Sequence, residues 1–114
     1  MILRTASTGD IMLSVIFNEY DQEKISKLLD AVLERFPQIT STIVFVNEKW
    51  NDSTGDLTPM CYAGKDHIME EMEGLQFKVG PKSFYQTNSK QAYELYKVTR
   101  EFADLKESDT LYDL

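Results

Sequence analysis

Between Gly80 and Tyr96 the chain reads GPKSFYQTNSKQAYELY. Phe84 offers an aromatic plane for stacking, and Gln86 a primary amide that both donates and accepts hydrogen bonds. Such a pair suits a flat, hydrogen-bonding ligand. Alternate side chains of an extended backbone share a face. Phe84, Gln86 and Asn88 therefore point one way, and Ser83, Tyr85 and Thr87 the other. A helix starting just beyond them adds free backbone N–H groups. The same residues have a plainer use: Phe84 as core, Gln86 as surface, Asn88 as a helix cap. Residue types alone favour the plainer use. For Asn88 the two uses are compatible.

Other chemistry is poorly provided for. Cys61 and His67 are the single cysteine and histidine, so no set of soft metal ligands is expected. Cys61 is expected to pack in a strand and His67 to sit on a surface turn. One cysteine excludes an intramolecular disulfide and fits a reducing compartment. Net charge is −7, from 19 acidic and 12 basic residues, with the basic ones scattered. That counts against a strong nucleic-acid binder, unless a local patch or a larger parent protein supplies the cations. Met1-Ile2-Leu3 runs straight into Arg4 and polar residues, so no leader peptide is expected. The apolar runs are too short to span a bilayer.

These residues must be positioned by the elements around them. The length, 114 residues, suits one domain. ILRTAS and IMLSVIFN flank a Gly9-Asp10 turn and predict a hairpin. DQEKISKLLDAVLERFPQ carries Ile25, Leu28, Leu29, Val32, Leu33 and Phe36 at helical spacing. Asp21 caps its start and Pro37 ends it. STIVFVNEK predicts a central strand, and LTPMCYAG a short edge strand after Pro59. KDHIMEEMEG fits either a helical turn or a strand pair, and its acidic residues mark it as solvated. LQFKVGP alternates, with Leu75, Phe77 and Val79 on one face. A second helix is predicted from Ser89 to Leu105, capped by Asn88 with Gln91 completing a capping-box pattern. Its stripe is Ala92, Leu95, Val98 or Thr99, and Phe102. TLYDL then begins a β-like run. The expected class is α+β: an antiparallel sheet with one amphipathic helix on a face.

The run GLQFKVGPKSFYQTNSKQAYELYKVTREFA, with TLYDL beyond it, resembles the RNA (uracil-5-)-methyltransferase family. The family pattern is a strand leading to S-F, then F-x-Q-x-N, an amphipathic helix and a D-L strand. Ser83, Phe84, Gln86 and Asn88 fall in register, as do Asp113 and Leu114. RTASTGDIMLSVIFN also resembles the family's central region. Nearly the whole chain is covered.

The resemblance implies an S-adenosylmethionine-dependent enzyme acting on ribosomal RNA or tRNA, with 23S ribosomal RNA the favoured target. It implies a fragment, with residues 1–87 as the central α+β domain. Residues 88–114 would be a C-terminal linker helix plus the first strand of a truncated Rossmann-like methyltransferase domain. No catalytic residue lies in the fragment: the family's glycine loop, nucleophilic cysteine and general-base glutamate belong beyond Leu114. Gln86 matches the glutamine that contacts the methyl donor, Phe84 an aromatic near the target base, and Asp113 the aspartate of the first cofactor motif. No metal or iron–sulfur cluster is implied for this stretch, and no membrane. The implied compartment is the cytoplasm. In the family, a cysteine thiolate adds to carbon 6 of uracil and so makes carbon 5 nucleophilic enough to take the methyl group. A base then removes the carbon-5 proton and the thiolate leaves. The target base must leave its stack first, and a nearby aromatic would serve that step. The fragment is expected to be inactive alone and to self-associate through Asp109–Leu114, a strand lacking its sheet. The competing reading is a self-contained, non-catalytic α+β interaction module, which would bury Phe84 and pair TLYDL in its own sheet.

Overall fold

Gly9, at φ +91°, turns the chain between β1 (Ile2–Thr5) and β2 (Ile11–Phe17), where a side chain would be strained. The Gly9 N–H donates to the Ala6 carbonyl at 3.0 Å, and the two strands pair antiparallel as expected. The computed structural model describes residues 1–49, 51 and 53–112. It divides into two units, Met1–Phe84 and Tyr85–Leu114.

In the first unit, helix α1 (Gln22–Arg35) follows β2. The Asp21 carboxylate accepts from the Lys24 N–H at 3.1 Å, closing the first turn. The chain leaves the helix at Phe36, because Pro37 disfavours helical geometry before it. Ile25 and Leu29 are buried against Val44, with Val15, Phe17 and Tyr62 packed around them. Of the apolar stripe read from the sequence, Val32 and Leu33 are half-buried, and Leu28 and Phe36 are exposed. The helix thus buries a narrower face than its spacing implied.

Strand β3 (Ser41–Val46) pairs with β2 in parallel, from Met12 opposite Ser41 to Phe17 opposite Val46. The main sheet is therefore mixed, where an antiparallel one was expected. The reason is α1 itself: parallel neighbours need a crossover of a dozen or more residues, and the helix supplies it. β4 (Met60–Gly64) closes the order β1-β2-β3-β4 as the edge next to β3. Ser41 to Phe45 are all buried, as befits a central strand covered on both faces. The hydroxyls of Ser41 and Thr42 are buried there without a hydrogen-bond partner.

The β3–β4 register slips between Thr42 and Ile43: Thr42 faces Ala63, but Ile43 faces Cys61. Tyr62 is the extra residue of a bulge. Its ring packs on the α1 side, and its hydroxyl donates to Asp30 at 2.6 Å. Beyond the bulge, Gly64 has φ +73°, and a Cβ there would lie 2.2 Å from the Thr40 carbonyl oxygen. That carbonyl is held in place by the Lys65 N–H at 3.0 Å, so only glycine fits. Cys61 lies in β4 as expected but is exposed, because this strand is an edge.

A second, two-stranded sheet pairs β5 (Ile68–Met72) with β6 (Leu75–Val79) across a turn at Glu73 and Gly74, both at positive φ. Here the sequence misled in one respect. The acidic stretch is not wholly solvated: Glu70 is 5% exposed. It shares the inward face of β5 with Ile68, and its carboxylate accepts from both the Ser7 N–H, at 3.1 Å, and the Ser7 hydroxyl. Hydrogen bonds of this kind are what make a buried carboxylate tolerable. The Thr8 hydroxyl donates to the Met69 carbonyl at 2.6 Å, and the Met69 N–H donates to Asp10 at 2.9 Å. The β1–β2 turn is thereby stitched to β5. His67 is half-buried, with Nδ1 2.5 Å from the Asp66 carboxylate. On β6 only Val79 is buried; Leu75 and Phe77 alternate correctly but stay exposed.

Two outcomes follow from this packing. Leu29→Ala should cost about 2–5 kcal/mol in equilibrium urea denaturation, because the side chain is wholly enclosed. Hydrogen bonding and attraction to Lys24 hold the Asp21 carboxyl below its ordinary 3.8. Its stabilising effect is therefore complete above pH 3.8 and is lost as pH falls through the depressed folded value. Asp21→Asn keeps a capping oxygen but not the charge, so its urea midpoint should change less between neutral and acid pH than that of the wild type.

Candidate functional site

The segment carrying Phe84 begins with a closed turn. The Ser83 N–H donates to the Gly80 carbonyl at 3.1 Å, and the Gly80 N–H donates back to the Ser83 hydroxyl at 3.1 Å. Pro81 and Lys82 form the bend between them. The turn is anchored from outside by Arg4 on β1, whose Nη1 donates to the carbonyls of Gly80 at 3.2 Å and Ser83 at 2.8 Å. Lys82 adds a second tether, donating to the Leu57 carbonyl at 3.1 Å.

Phe84 ends the first unit and is 84% exposed. The plainer use as a core residue is thereby set aside. Gln86 lies in the second unit and is also exposed, so its amide is open to a ligand. Asn88 caps helix α2 (Ser89–Ala103) as expected, accepting from the Gln91 N–H at 3.1 Å. The helix ends two residues before Leu105, with Asp104 in the left-handed region at φ 43°. Of the expected stripe only Ala92 is buried; Leu95, Val98 and Phe102 are exposed. Residues 109–112 form no strand and are exposed, and Asp113 and Leu114 lie outside the described residues.

Sequence reasoning missed two features of this site. Arg4 stands in the stretch that resembles the family's central region, arginine included, but the sequence does not give its partners. The charge of the segment was hidden by the overall balance: residues 75–93 hold Lys78, Lys82 and Lys90 and no acidic residue. A charge count in a moving window finds the second; no local signal finds the first.

Among the described residues, no group of three or more His, Cys, Asp and Glu side chains could hold a metal. A cleft of about 280 Å³ lies between the start of α1 and β4, lined by Tyr20, Ile25, Val44, Met60 and Tyr62 among others. A second, of about 290 Å³, opens around Asn18, Asp21 and Lys24. One exposed amide, that of Gln86, offers a ligand a single donor-and-acceptor contact.

No protein-family model matches the chain. It is similar along its whole length to proteins named uncharacterized RNA methyltransferases. One from Porphyromonas gingivalis is 53% identical over 114 residues, and one from Bacteroides thetaiotaomicron is 51% identical over 117. A third, from Caldanaerobacter subterraneus, is 33% identical over 120. The aligned region is 24% of the first, 26% of the second and 26% of the third, so the chain spans about a quarter of the length of the curated relatives it matches.

Asn88→Ala should lower the helicity of α2, seen by far-ultraviolet circular dichroism, at a cost of about 1 kcal/mol for the lost cap. Asn88→Asp, which retains a capping oxygen, should preserve it.

Proposed function

By sequence the chain belongs with these RNA methyltransferases, and from that premise we propose that it is a segment of an S-adenosylmethionine-dependent enzyme methylating carbon 5 of uridine. Ribosomal RNA, 23S in particular, is the proposed target, with tRNA the other candidate, and the cytoplasm the proposed compartment. Residues 1–87 serve as a central domain. Residues 88–114 lead into a Rossmann-like methyltransferase domain that holds the nucleophilic cysteine and most of the donor site. The 114-residue stretch alone neither binds donor nor transfers a methyl group.

One observation carries this reading: the aromatic and the amide of the F-x-Q-x-N run are both exposed ahead of a capped helix. Phe84 has a free face on which an unstacked uracil can lie. Gln86 has an amide that can donate to and accept from the methyl donor. The names of the relatives, RNA methyltransferases, support an RNA substrate. The exposed ring of Phe84 weighs against the competing non-catalytic module, which would use it as core.

The test uses the full-length parent protein with isotopically labelled S-adenosylmethionine and a 23S ribosomal RNA transcript. Label should appear in 5-methyluridine on nucleoside analysis; label on another base or on ribose would overturn the assignment. Gln86→Ala should weaken donor binding by up to about tenfold, the worth of one hydrogen bond. Unchanged donor affinity would remove Gln86 from the site. The gene should also encode an aromatic-x-Gly-x-Gly run directly after Leu114 and a cysteine further on.

A further inference from the structure

Arg4 sits on an edge strand, yet its guanidinium reaches 76 and 79 positions along the chain to the carbonyls of Gly80 and Ser83. The Ser83 carbonyl is the last backbone acceptor before Phe84. Within the turn, the Ser83 N–H and hydroxyl are already paired with Gly80. The turn is thus closed upon itself and then fixed to the main sheet by one cation. Charge-assisted bonds from a planar guanidinium are stronger and more directional than neutral ones. Without Arg4 the turn would be held from outside by the Lys82 bond to Leu57 alone, and would open more often and carry Phe84 with it.

We infer that Arg4 is a positioning residue for the proposed methyl transfer: its grip on the Gly80 and Ser83 carbonyls sets the direction in which Phe84 leaves the turn. This rests on the reading of Phe84 as the ring near the target base. Arg4 itself touches neither RNA nor donor in this role. Its effect is therefore on the geometry of the bound complex and not on how much RNA is bound. A misplacement of about 1 Å suffices to slow a reaction about a hundredfold.

The experiment uses the full-length parent. Arg4→Met keeps the apolar stem and removes the donors. Ser83→Ala loosens the same turn without touching β1. Two readouts are taken: hydrogen exchange of peptides covering residues 80–88, and steady-state methylation of uridine-containing RNA. In Arg4→Met, exchange at Ser83 and Phe84 should quicken while peptides from β2 and β3 stay protected. The kcat should fall about ten- to a hundredfold with KM for RNA within about twofold. Ser83→Ala should show a smaller loss of the same kind, and Arg4→Lys a partial recovery.

Unchanged exchange in both variants would overturn the grip. Faster exchange with unchanged kcat would overturn the positioning role. A raised KM with unchanged kcat and full recovery by lysine would make Arg4 an RNA-contacting charge instead. If Arg4→Met does not fold, as loss of protection in β2 and β3 would reveal, Ser83→Ala and Arg4→Lys decide the matter by the same criteria. If the wild-type parent transfers no methyl group to RNA, the proposed function falls and takes the catalytic role with it. The exchange data then still judge whether Arg4 holds the segment.

Discussion

The parallel pairing of β2 with β3 is the constraint on which the first unit depends. It exists because α1 returns the chain to the starting end of the sheet, and it is held by Ile25 and Leu29 packing on Val44. Once β2 is fixed, β1 is fixed beside it, with its turn at Ala6 to Asp10. That turn then holds β5 through Ser7, Thr8 and Asp10, and β1 holds the exit from β6 through Arg4. The placement of Phe84 is therefore inherited, in steps, from a helix whose nearest residue precedes it by dozens of positions. The hydrophobic effect sets the first step, being strong and without direction. Hydrogen bonds set the later ones, each weaker but directional.

This division also explains what the sequence revealed. Both helices, their caps at Asp21 and Asn88, and the first hairpin were legible because their causes are local: helical spacing, a capping side chain, a turn glycine. Parallel pairing was not legible, since strand direction depends on where a crossover delivers the chain. The burial of Glu70 was missed because an acidic stretch reads as solvated until a partner such as Ser7, far away in sequence, is known. Phe84 and Gln86 stood out by type and spacing, and the RNA methyltransferase part of the resemblance they carry agrees with the names of the chain's relatives. The partners of Arg4 were not legible, because they are backbone carbonyls, and these carry no residue-type signal at all.

Charge shows the same contrast between a sum and a location. A net charge of −7 describes solubility and long-range behaviour, not any one surface. The acidic residues lie on either side of residues 75–93, and the stretch that precedes α2 is free of them. Two of its lysines are already engaged in the first unit: Lys78 lies 3.4 Å from Asp66, and Lys82 bonds the Leu57 carbonyl.

The bulge at Tyr62 has a consequence for how this chain can vary. On one side of it, Met60 and Cys61 alternate in step with Val44 and Ile43; on the other, Ala63 and Gly64 follow Thr42 and Ser41. Losing a residue from within either half would shift its pairing by one and turn its inner side chains outward, and a shift of the second half would move a residue with a Cβ against the Thr40 carbonyl. Away from Gly64, β4 can thus accept exchanges of one side chain for another, but the lengths of its two paired halves are locked, and insertions and deletions must be taken up at the bulge or in the turns that flank the strand.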